Sequence, residues 1–91
     1  MAPSDDDPVV RQLREQISEV DRGIFDAINK RLGLVAELKR HKDEHGLSFL
    51  DRERETSMVD AQVRQNRGPL SDDGLRSFYA ELLALTKREV S

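Results

Sequence analysis

The sequence contains no cysteine, which excludes a disulfide framework and a Cys-His nucleophilic set. It has no hydrophobic run long enough to span a bilayer and no charged-then-apolar export signal at its N-terminus. Together these absences predict a cytoplasmic protein. Three phenylalanines and one tyrosine are the only aromatics, there is no tryptophan, and the net charge of -3 comes from interspersed acids and bases. That pattern argues against a nucleic-acid or anionic-membrane surface. No internal repeat, low-complexity segment or strand-like alternation is present, so the expected fold class is all-α.

What is present is a helical stripe too long for the chain to cover. Apolar residues recur at Val10, Leu13, Ile17, Val20, Ile24, Ile28, Val35 and Leu38, the three- and four-residue steps of one helix face. The spacing predicts a helix from Pro8 to about His45, on the order of 55 Å long. Ninety-one residues, 36% apolar and 36% charged, allow one small domain with a modest core. The stripe is therefore expected to be completed by a second, identical chain. Residues 1–7 read as a disordered lead-in and 8–91 as the domain. Asp7-Pro8 supplies the N-cap and first-turn proline, and His45-Gly46 the stop. Gly23 and Gly33 lie inside the helix at a cost of roughly 1 kcal/mol each, which packing must offset.

A second helix is expected from the Asp51 N-cap to about Gln65, with Glu55, Met58 or Val59, and Gln62 facing inward. Asn66-Arg67-Gly68-Pro69 reads as a turn. A third helix opens at Ser71 or Asp72 and carries the row Leu75, Tyr79, Leu82, Thr86. Leu47, Phe49 and Leu50, in the first connection, read as a cap on the core or a loop closing over a site.

Polar groups interrupt these rows. Arg31 fills the gap between Ile28 and Val35, Lys42 continues the same line about three turns on, and Glu55 and Thr86 fall on the inward faces of the other two helices. Burying an unpaired charge costs several kcal/mol. One reading is structural: long basic side chains lying along apolar surface, or pairing with Glu55. The other is a site for a small, polar, dianionic ligand enclosed between helices. Glu37, His41 and His45 share a helix face at metal-ligand spacing, but with no fourth ligand and no HExxH pattern they read as a solvated helix end. No metal or cofactor is expected.

Several motifs carry a resemblance. Leu13-Arg14-Glu15-Gln16-Ile17 with Val20-Asp21, then Ile28-Asn29-Lys30-Arg31, Lys39-Arg40-His41-Lys42, Asp51-Arg52-Glu53-Arg54-Glu55, Gly68-Pro69, and Phe78-Tyr79-Ala80-Glu81-Leu82-Leu83 follow in order over about residues 8–90. In that order and spacing the chain resembles the all-helical class of chorismate mutases. The resemblance implies a three-helix protomer, long, short and intermediate, intertwined as a homodimer with two equivalent sites. It implies the rearrangement of chorismate to prephenate, without a cofactor. By motif, Arg14 reaches across the dimer to a substrate carboxylate and Arg31 holds a carboxylate within its own subunit. Lys42 donates to the ether oxygen of the breaking bond. Asp51, through its backbone, and Glu55 hold the ring hydroxyl, with Arg54 supporting that corner. Thr86 stands where the family usually has serine.

Val90 departs from the pattern, standing where the family usually places a glutamine that donates to the ether oxygen; valine cannot donate. Three consequences stay open. Glu89, protonated, fills in; the site lacks that donor and is slow; or a partner, such as the first enzyme of the aromatic pathway that activates some short members, rearranges the C-terminus. Also open are an isochorismate pyruvate-lyase, a mutase of 4-amino-4-deoxychorismate, and a weakly active or non-catalytic helical dimer module.

Overall fold

The computed structural model describes residues 7–49 and 51–90. Three helices make up the described chain, with no strand among them: α1 (Pro8–Glu44), α2 (Arg52–Gln65) and α3 (Asp72–Glu89). The chain divides into two units, residues 1–33 and 34–91. The expected lead-in falls outside the described residues except for Asp7, which is a helix cap.

Each helix boundary follows from local chemistry. Asp7 Oδ1 accepts from the Val9 and Val10 amides at 2.8 and 3.2 Å, satisfying donors that the first turn leaves open. Gly46 ends α1 with φ of +65°. Its amide donates to the Asp43 carbonyl at 3.4 Å and the Leu47 amide to the Lys42 carbonyl at 2.8 Å, the paired bonds of a Schellman C-cap. A β-carbon is strained at that φ, so Gly46→Ala is expected to destabilise the fold by about 1 kcal/mol, read as a lower denaturation midpoint.

Asp51 and Ser71 cap α2 and α3 as expected, their side-chain oxygens accepting from the Arg54 and Gly74 amides, each at 3.0 Å. Between these helices Asn66 Oδ1 accepts from the Gly68 amide at 3.2 Å, and Asn66 Nδ2 donates to the Leu70 carbonyl at 2.7 Å. Gly68 has φ of +69°, so the turn needs glycine there.

In the second unit α2 packs against α3, running antiparallel. Two ion pairs tie them: Arg76 to Asp60 at 3.0 Å and Lys87 to Glu55 at 3.9 Å. The row Leu75, Tyr79, Leu82, Thr86 faces inward as expected. On α2 the withdrawn row is Glu55, Val59 and Val63, whereas Gln62 is exposed and Met58 is 37% exposed. Asp60 and Ala61, beside that row, are half-buried too. Phe49 is half-buried and Leu47 exposed; Leu50 lies outside the described residues.

The long stripe is open from Leu13 to Ile24 and at Leu38, whereas Val10, Ile28 and Val35 are half-buried. Leu13, Ile17, Val20 and Ile24 are between 46% and 63% exposed. Among the described residues no apolar side chain is buried, and Thr86 alone is, at 7%. The chain exposes 7561 Å², where a folded monomer of this length exposes about 5,400 Å². A β-carbon built at Gly23 or Gly33 meets no atom within 4 Å, so neither glycine answers a close approach within this chain.

Candidate active site

Arg14 and Arg31 lie in the first unit. Arg14 is exposed on α1 and lines a shallow groove along that helix with Val10, Ser18 and Arg22 among others. Arg31 is half-buried in the gap between Ile28 and Val35. The groove holds none of the other candidate residues.

The second unit holds the rest. Lys42, half-buried, sits in the last turn of α1. Its own carbonyl is one of those closed by the C-cap, so the cap fixes the backbone from which the ammonium projects. Asp51 is extended, with φ of -142°. Its carboxylate engages the Arg54 amide and its carbonyl accepts from the Glu55 amide at 3.1 Å. Asp51, Arg54 and Glu55 are therefore held as one corner by the start of α2, with the Arg54 side chain exposed and Glu55 half-buried.

Glu55 is also where α3 meets this corner. Its Oε1 lies 3.9 Å from Lys87 Nζ. Thr86, one residue earlier, is buried and its Oγ1 donates to the Leu82 carbonyl at 2.7 Å. In that rotamer the hydroxyl proton faces its own helix. Val90 is half-buried and caps α3, its amide donating to the Thr86 carbonyl at 2.9 Å. Glu89 is exposed.

Lys87 had no signal in the sequence. A lysine in a helix's last turn reads as a complement to the dipole; only the register of α3 on α2 brings it to Glu55. At the other end of the hairpin Asp60 and Arg76 meet for the same reason. The His41 and His45 rings stack with centroids 4.2 Å apart, and His45 Nδ1 lies 2.8 Å from the His41 carbonyl. Among the described residues no three His, Cys, Asp or Glu side chains gather as a metal site.

The family model for chorismate mutase type II matches residues 13–90. The chain belongs to that family. Its fold agrees: a chorismate mutase from Thermus thermophilus, in form I, superposes with a TM-score of 0.82 at 30% identity, covering 85% of this chain and 96% of that one. Form II gives 0.83 at 29% identity, covering 87% and 90%. The all-helical, three-helix architecture is thus that of the chorismate mutases. The T-protein of Enterobacter agglomerans is 42% identical over 53 residues, 58% of this chain and 14% of the relative. The T-protein of Haemophilus influenzae is 32% identical over 80 residues, 82% of this chain. The chain spans only 14% and 21% of the length of these two relatives.

Proposed function

We propose that this chain is a chorismate mutase acting as a two-fold homodimer, converting chorismate to prephenate in the cytoplasm without a cofactor. The observation that carries the reading is the burial pattern. Arg31, Lys42 and Glu55 are half-withdrawn from solvent and Thr86 is buried, while the apolar stripe from Leu13 to Ile24 lies open. Charges are withdrawn at that expense where they have a partner or a ligand. A second copy laid on the open stripe covers the apolar face and brings a second Arg14.

The chemistry asks for little else. A [3,3] sigmatropic rearrangement is unimolecular and needs neither nucleophile nor proton transfer. What it needs is the flexible enolpyruvyl side chain held over the ring, which cations on both carboxylates provide. Arg31 takes one carboxylate, and Arg14 of the second copy the other. As the C–O bond breaks ahead of C–C formation, negative charge grows on the ether oxygen, and the Lys42 ammonium stabilises it more in the transition state than in the ground state. Glu55 and the Asp51 backbone hold the ring hydroxyl, with Arg54 in support; Thr86, after rotating from Leu82, donates to a carboxylate. Val90 leaves the ether oxygen one donor short. That favours slow turnover alone and activation by a partner enzyme of the aromatic pathway that reorders the end of α3.

The test is the loss of chorismate absorbance with purified protein, prephenate being identified by acid conversion to phenylpyruvate. Prephenate formation is the expected result. A folded dimer that leaves chorismate untouched, with or without a partner enzyme, contradicts the proposal and favours the non-catalytic module. Release of pyruvate from isochorismate instead identifies the lyase.

A further inference from the structure

We propose that Lys87 is a specificity-determining residue that makes the Glu55 corner select a neutral hydroxyl over a cationic amine on the substrate's ring. The inference rests on the reading of Glu55 as the group that meets that ring substituent.

Glu55 by itself does not discriminate. A carboxylate accepts from a hydroxyl, and it accepts more strongly from an ammonium, where the hydrogen bond is charge-assisted. An isolated Glu55 would therefore favour the amine. The structure does not leave it isolated. Lys87 Nζ lies 3.9 Å from Oε1, and the Glu55 side chain is 32% exposed against 55% for Lys87. The lysine thus partly neutralises the carboxylate from the wetter side. The remaining acceptor capacity suits a hydroxyl, which brings no charge. An ammonium in the same place meets a carboxylate already shared and a like charge a few ångströms beyond it.

The size of the effect follows from Coulomb's law. Two unit charges about 6 Å apart, at a local dielectric of about 40 between protein and water, differ from a charge and a neutral group by about tenfold in equilibrium constant. The exposure of Lys87 sets that figure as the scale, since salt screens it further. Lys87 needs no contact with the substrate for this role. It acts through Glu55 and through the field at the corner.

The experiment compares chorismate with 4-amino-4-deoxychorismate as substrates of the full chain. It measures kcat/KM for each in the wild type, Lys87→Met and Lys87→Arg, at low ionic strength. The expected wild type prefers chorismate. Lys87→Met shifts the ratio toward the amine by about tenfold, and Lys87→Arg, which keeps the charge, retains the wild-type ratio. A merely structural lysine lowers both substrates by the same factor in Lys87→Met, and that outcome overturns the inference, as does an unchanged ratio. If the wild type turns over chorismate and the ratio does not move, only this inference falls. If it turns over neither compound, the proposed function and this inference fall together.

Discussion

Lys42→Ala is expected to lower kcat by about 10²- to 10³-fold, equivalent to about 3 to 4 kcal/mol of transition-state stabilisation, with a far smaller change in KM. The split matters because, in the proposed mechanism, the charge Lys42 answers develops as the ether bond breaks; the ground-state oxygen offers little for it to bind. The backbone under Lys42 is closed by the Gly46 cap, so truncating the half-buried side chain leaves the helix end intact. The protein should remain folded, with a nearly unchanged melting temperature. Lys42→Arg keeps the charge but replaces a compact ammonium with a broad planar fork, and is expected to recover only part of the rate. Wild-type turnover in Lys42→Ala would remove this residue from the mechanism.

Arg14→Ala is expected to cost about 10²-fold in kcat/KM, the scale for deleting one partner of a desolvated charge pair. The loss should divide between KM and kcat, because in the proposed mechanism the arginine both binds a carboxylate and holds the side chain over the ring. Arg14 is exposed in the single chain, so stability is measured alongside activity for this variant. A loss of activity at unchanged stability reports on the substrate clamp.

The boundaries of the fold were legible in the sequence because caps are local. Asp7-Pro8, His45-Gly46, Asp51 and Ser71 each satisfy open helix ends with neighbouring side chains or a left-handed glycine. The row on α2 was less legible. Whether Gln62 or Val63 turns inward depends on the line along which α3 crosses, a tertiary choice that periodicity over one short helix does not encode. Phe78, 54% exposed, matches an apolar spacing whose covering surface is absent from the single chain.

The candidate site divides in the same way. Arg31, Lys42, Glu55 and Thr86 stand out by periodicity alone, as polar groups on apolar rows. Arg14 lies beside its row, so only the family motif around Leu13 and Ile17 marks it. Lys87 and the Asp60–Arg76 pair required the register between two helices. The long stripe gives reason to expect a second chain, but does not say which of its residues would complete the site.

The most direct measurement is therefore made on mixed dimers. Arg14→Ala and Lys42→Ala proteins, each nearly inactive alone, are unfolded together, refolded and assayed with chorismate. In a mixed dimer one site carries both substitutions and the other carries neither, provided Arg14 is supplied by the partner of the chain that supplies Lys42. Random assembly makes half the dimers mixed, so about a quarter of wild-type activity is expected to return. Activity that stays at the level of the separate variants would contradict a site built from two copies of this chain.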